Sequence, residues 1–186
     1  WSFIKKAGTI ILLSTIVLWF LMNFGWADGS FGMLEAEQLD SSILAAIGSV
    51  IAPIFAPLGW GNWKMAVAAI TGLIAKENVV ATFGILFGFA EVAEDGAEIW
   101  GQLGASIVPI AAYGFLVFNL LCAPCFAAMG AIKREMNNTK WFLFAIGYQC
   151  GLAYLVSLCI YQIGTLVTGG GFGIWTVVAF AIIIGF

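Results

Sequence analysis

The sequence contains no histidine, and only 9% of its 186 residues are charged. The first absence removes the commonest proton shuttle and metal ligand, so any metal must be held by oxygen or sulfur. It also excludes a Ser-His-Asp arrangement. The second absence sets the chain apart from soluble domains, in which about a quarter of residues are charged. There is no GxxxxGK[ST] loop and no GxGxxG turn opening a helix after a strand, so no nucleotide site is expected in this stretch. What is abundant is apolar: 62% of residues are hydrophobic. An integral membrane protein fits both the excess and the deficits. The chain starts at Trp1 without a methionine and stops at Phe186 inside an apolar run, as expected of a piece of a longer protein.

Crossing about 30 Å of hydrocarbon takes about 20 apolar helical residues. Against that length six apolar segments stand out, at 7–24, 43–58, 65–90, 102–131, 141–166 and 172–186. The expected fold is all-α, a polytopic transmembrane helix bundle forming one permease domain over 1–186. Two acidic loops separate segments, one with Asp28, Glu35, Glu37 and Asp40, the other with Glu91, Glu94, Asp95 and Glu98. Lys5, Lys6, Lys64, Lys133, Arg134 and Lys140 all fall on the opposite side, which the positive-inside bias makes cytoplasmic. Tryptophans such as Trp26, Trp60, Trp63, Trp100 and Trp141 lie near the segment ends and read as an aromatic belt. The Gly169-Gly170-Gly171 run reads as a flexible outer turn.

Two segments contain breaks. Segment 43–58 is short and carries Pro53 and Pro57, each of which removes a backbone donor, so it reads as a half-helix or re-entrant arm. Segment 102–131 is interrupted by Pro109 and Pro124. Interrupted helices near the midplane are a frequent material of transporter binding sites, because irregular backbone at that depth must line a cavity or be buried in protein.

Lys76 and Glu77 sit within the apolar stretch from Met65 to Ala90. A charge near the bilayer centre costs at least ~2.5 kcal/mol, so such residues face a protein interior or an aqueous cavity. Adjacent on a helix, they point about 100° apart and each needs another partner. Either both are structural charges satisfied by neighbouring helices, or Glu77 faces a cation path while Lys76 anchors an unwound turn. In the fourth segment Cys122-Ala-Pro-Cys125 follows Asn119. A helical CxxC sets two thiols about one turn apart, and Pro124 frees the carbonyl near Leu120. Soft sulfur with freed carbonyls suits an iron-like or copper-like ion better than sodium or magnesium. Cys150 and Cys159, and Met129 and Met136, read as packing residues.

The strings Pro57-Leu-Gly-Trp-Gly-Asn-Trp-Lys-Met-Ala-Val-Ala, Gly72-Leu-Ile-Ala-Lys-Glu77, Ala123-Pro-Cys125 and Ala131-Ile-Lys-Arg-Glu135, in that order, resemble the C-terminal membrane region of the bacterial ferrous iron transport protein B family. The resemblance runs over essentially the whole chain. It implies a multi-pass permease of the bacterial inner membrane that moves Fe2+ into the cytoplasm. This piece would hold the second of two gate motifs, in elements at about 43–90 and 102–135. The first gate and a GTP-binding domain, with its GTP and Mg2+, would lie elsewhere in the polypeptide. By position, Cys125 matches the gate cysteine, and Lys76 with Glu77 the charged pair of the other gate element. Cys122, Asn119 and Pro124 are added from spacing, Cys122 as a further metal ligand. Asn78 stands where an apolar residue is expected, and Ala123 where threonine often precedes the Pro-Cys; either alters ion preference without removing a ligand.

The expected partners are Fe2+ as transported ion, the bilayer, the rest of the polypeptide, a small accessory protein of the uptake system and a second copy of the chain. No tightly bound cofactor, enzymatic activity or nucleic acid is expected of this piece. Two other readings remain open from the residues. Thr71, Asn78 and Asn119 near broken helices also suit an organic-solute or sodium-coupled transporter, in which cysteine-to-serine changes would matter little. A non-transporting anchor for a GTPase would tolerate Glu77→Gln.

Overall fold

The computed structural model describes residues 9, 12–13, 16–17, 19–27, 30–34, 36–74, 79, 82–83, 86 and 100–185. Residues 19–23 are helical and lead into a small antiparallel hairpin. Its strands are β1 (Phe24–Ala27) and β2 (Ser30–Met33), with Phe24 opposite Met33 and Ala27 opposite Ser30. Trp26 and Phe31 face each other across it with ring centroids 5.2 Å apart. Cross-strand aromatic pairs of this kind hold isolated hairpins together. The first acidic loop is thus more ordered than its charge pattern predicts, and a short 3-10 turn, Ala36–Ser41, completes it.

Helix α1 (Ile43–Phe55) starts at Ser42, whose Oγ accepts a hydrogen bond from the Ala45 amide at 3.0 Å. That satisfies one of the donors every helix start leaves over. Pro53 sits in its last turn, and a 3-10 turn with Pro57, Ala56–Leu58, follows. Gly59 then takes φ +84°, a left-handed conformation that glycine alone reaches at little cost. Asn62 restarts the chain by accepting from the Met65 amide at 2.8 Å, and α2 (Trp63–Ile74) leaves at 92° to α1. Segment 43–58 and the start of the next are therefore one elbow.

The fourth segment is three helices: α3 (Trp100–Ser106), α4 (Pro109–Leu121) and α5 (Phe126–Met136). Pro109 opens α4 after an extended Val108, the conformation a residue before proline favours. Asn137, at φ +45°, ends α5 behind Lys133 and Arg134, whose charges complement the carboxyl end of the helix dipole. Asn138 caps α6 (Thr139–Val167) by accepting from the amides of Lys140 and Trp141. The glycine turn after α6 is closed rather than loose: Gly169 is left-handed at φ +88°, and the Gly170 amide donates to the Thr165 carbonyl at 2.7 Å. Helix α7 (Ile174–Gly185) ends the described chain.

The all-α class is borne out, with the hairpin as the departure among the described residues. Among these residues α6, at 29 residues, is the helix long and apolar enough to cross a membrane unaided. The bent α1–α2 pair passes the same test only as a unit, and α4 and α7 are shorter apolar helices.

Helix α4 buries Ala111, Gly114, Phe115 and Phe118, one face at helical spacing, chiefly against α6. There the Ser157 Oγ donates to the Gly114 carbonyl at 2.8 Å, a contact that small residues permit by letting backbones approach. Trp60 corrects the aromatic-belt reading. It is 1% exposed, stacked on Phe55 at 4.4 Å and edge-on to Phe115 at 5.1 Å. The elbow buries this ring because the left-handed turn at Gly59 folds the following residue inward. Trp26 and Trp141 are exposed, as a belt requires.

Candidate functional site: a helix elbow and a cysteine-proline break

The elbow between α1 and α2 is one break; the other is Cys122–Cys125, between α4 and α5. Cys122 follows α4 with ψ 165°, and Cys125 precedes α5 with ψ 157°. Both are extended. The cysteines do not sit on successive turns of a helix, which corrects the one-turn spacing expected of CxxC. The cause is Pro124: it has no amide hydrogen to continue α4, and it biases the residue before it away from helix.

Each thiol has its own setting. Cys122 is buried, and its Sγ lies 3.4 Å from the Sγ of Cys150 on α6. Cys125 is half-buried. Its carbonyl accepts from the Met129 amide at 2.9 Å, while its side chain makes no capping bond. Helix α5 thus starts without using this thiol. Pro124 is half-buried beside it.

Asn119 joins α4, just before the cysteine break, to the C-terminal end of α2. Its Nδ2 donates to the Phe115 carbonyl at 2.9 Å, which holds the amide against its own helix. Its Oδ1 reaches toward α2, where a Cβ added to Gly72 would lie 2.6 Å from it. Asn119, chosen from sequence by spacing alone, is therefore brought against the glycine that opens the Gly72-Leu-Ile-Ala-Lys-Glu77 string. Lys76 and Glu77, together with Asn78, lie outside the described residues. Thr71 is buried and donates to the Ala68 carbonyl of its own helix. Among the described residues no three Cys, Asp, Glu or His side chains gather closely enough to hold a metal ion. What these residues do present is soft sulfur at a proline break, next to a polar amide.

Gly72→Ala is expected to push Asn119 aside, at roughly 1 to 3 kcal/mol of stability for an overpacked site. The double variant Gly72→Ala with Asn119→Ala should recover most of that loss. Thermal unfolding of the four proteins in detergent checks it, and strictly additive losses would mean that the two residues do not touch.

Sequence reading missed the residues that hold the elbow. The Tyr154 hydroxyl donates to the Ile54 carbonyl at 2.7 Å. The Gln162 Nε2 donates to the Pro57 carbonyl at 2.7 Å, while its Oε1 accepts from the Thr176 hydroxyl of α7 at 3.0 Å. The proline-interrupted helix end leaves carbonyls that its own backbone does not serve, and α6 supplies donors for them. A signal was present: Tyr154, Ser157, Tyr161, Gln162 and Thr165 recur at helical spacing through an apolar span.

The elbow and the cysteine-proline break meet on α4: Trp60 of the elbow packs on Phe115 and Phe118, and the break follows at Cys122. The family model described as Gate, nucleoside recognition, matches residues 4–139, and the chain belongs to that family. Among curated proteins it is 38% identical to a protein named Fe(2+) transporter FeoB from Methanocaldococcus jannaschii, over 89% of this chain and 24% of that protein. It is 34% identical to the Fe(2+) transporter FeoB of Campylobacter jejuni, over 83% of this chain and 26% of that one. A Porphyromonas gingivalis protein named as a fusion of Fe(2+) transport protein A with FeoB is 31% identical over 89% of this chain and 24% of its own length. The chain thus spans about a quarter of the length of these relatives. The resemblance carried by the motifs is borne out. No solved structure matches the chain.

Proposed function

We propose that the chain is a gate-bearing membrane part of a ferrous iron importer. Fe2+ is its transported ion, and movement is coupled to a GTPase domain carried elsewhere in the polypeptide together with the first gate. GTP and Mg2+ belong to that other domain. The observation that carries this reading is the proline break that leaves the Cys125 side chain out of helix capping, beside an Asn119 that touches the other gate element at Gly72. Sulfur ligands favour transition metals over sodium or magnesium. The relatives matching most of the chain are named as Fe(2+) transporters, which supports iron over an organic solute. In this reading Fe2+ exchanges part of its hydration shell for Cys125, Cys122 and Glu77, and Lys76 anchors the turn beside Glu77. The chain lies in the bacterial inner membrane as a multi-pass bundle of six segments. The α1–α2 elbow serves as its re-entrant or broken element, and the positive side, Lys133 and Arg134 included, is cytoplasmic. A small accessory protein and a second copy of the chain are further partners.

The test is iron-limited growth of a ferrous-uptake-deficient bacterium carrying the full-length protein, at matched membrane abundance. Cys125→Ser and Glu77→Gln are each expected to slow Fe2+ entry at least about tenfold, the equivalent of roughly 1.4 kcal/mol in a barrier or binding step. Growth like wild type in both variants would remove these residues from the ion path.

A further inference from the structure

We propose that Cys122 and Cys150 form an oxidisable dithiol, a modification site for small hydroperoxides, whose disulfide ties the break between α4 and α5 to α6. The effect on transport rests on the ferrous reading above; bond formation does not.

The two thiols are already in contact: the Cys122 Sγ lies 3.4 Å from the Cys150 Sγ, within reach of a weak S–H···S hydrogen bond. A disulfide needs about 2.05 Å, a further approach of a little over 1 Å. Cys122 is suited to make that approach, because it lies past the end of α4 at an extended residue, not inside the helix. Cys150 is fixed within α6. The competing partner for Cys122 is Cys125, three residues beyond it, but the structure aims Cys122 at α6 instead. Cys122 is 6% exposed and Cys150 half-buried, so the oxidant in question is a small neutral one such as hydrogen peroxide.

The reaction balances with hydrogen peroxide as oxidant. One sulfur attacks an oxygen of the peroxide; an S–O bond forms, the O–O bond breaks, and the leaving hydroxide takes up the thiol proton as water. The second sulfur then attacks the sulfenic sulfur, the S–S bond forms, the S–O bond breaks, and the second thiol proton leaves with that oxygen as water. The two sulfurs lose two electrons together and the peroxide gains them. A dithiol reductant reverses the bond by exchange. Fe2+ transfers an electron to peroxide and releases hydroxyl radical, so an iron path that stiffens under peroxide limits damage inside the cell. The disulfide acts at the right place, between Asn119, which touches Gly72, and Cys125.

The experiment uses the full-length protein in membrane vesicles, treated with hydrogen peroxide, blocked with N-ethylmaleimide and digested for mass spectrometry. A peptide linking Cys122 to Cys150 is expected, together with a several-fold fall in Fe2+ entry that dithiothreitol restores. Cys150→Ser is expected to carry Fe2+ like wild type before peroxide and to keep doing so after it. A Cys122–Cys125 link in place of the Cys122–Cys150 peptide, or no link at all, overturns the proposal, as does a Cys150→Ser protein that peroxide inactivates like wild type. The linked peptide is read in the wild-type protein, so it depends neither on the folding of a variant nor on what the protein transports. A failure of the ferrous reading would show separately, as vesicles that take up no Fe2+ before any oxidant is added.

Discussion

Gly59→Val is expected to leave little folded protein in the membrane, and Gly59→Ala to lower the midpoint of thermal unfolding sharply. The residue sits at φ +84°, where an L side chain costs roughly 1 to 2 kcal/mol. A Cβ at this position would also overlap the ring of Tyr161, which closes over the turn from α6. Overpacking of that kind costs roughly 1 to 3 kcal/mol more. The sum is a large fraction of the 5 to 15 kcal/mol that typically separates folded from unfolded domains. The two contributions separate by experiment. Adding Tyr161→Ala to Gly59→Ala should relieve the overlap and leave the backbone strain. Unfolding in detergent, followed by near-UV circular dichroism, reads both, and an unchanged midpoint in Gly59→Ala would mean that the turn is not left-handed.

Gln162→Leu should be nearly as severe. It strands the Pro57 carbonyl and removes the acceptor of the Thr176 hydroxyl, which is otherwise engaged by the Gly173 amide at 3.3 Å. A buried group left unsatisfied costs roughly 1 to 3 kcal/mol, and here two are affected. The loss should exceed that of Thr176→Val, which leaves the bond to Pro57 intact. The double variant should lose less than the sum, because the Thr176 hydroxyl has already lost its acceptor in Gln162→Leu. Additive losses would show that the amide does not bridge the elbow and α7.

The proline positions made both breaks legible in advance. Pro109 and Pro124 divide one apolar segment into three helices, and Pro53 and Pro57 mark the elbow, because a missing amide hydrogen acts locally and needs no tertiary knowledge. Asn119 stands out in the sequence because a polar amide in an apolar helix needs a partner, and it has one in the Phe115 carbonyl. Less legible was anything set by the approach of distant segments. Cys122 read as the partner of Cys125 along the chain, whereas packing of α4 on α6 brings it to Cys150. Trp60 read as an interfacial ring because its neighbours in sequence are polar and glycine-rich; the turn at Gly59 carries it into the core instead. The hairpin from Phe24 to Met33 was hidden because a pattern of four residues per strand is too short to rise above a loop.

Three of the bonds by which α6 holds its neighbours end on main-chain oxygens, those of Ile54, Pro57 and Gly114. A carbonyl is the same whatever side chain its residue carries. Through evolution, the residues at 54 and 57 are therefore free to drift in identity as far as these bonds are concerned, while Tyr154, Gln162 and Ser157 are not; position 114 must stay small, because a Cβ there would lie 3.1 Å from the Ser157 Oγ. A search for pairs of positions that change together across relatives would miss these hydrogen bonds and would see α6 tied to the elbow through the packing of Tyr161 on Gly59. For these hydrogen bonds, the selective burden of keeping the bend falls on α6.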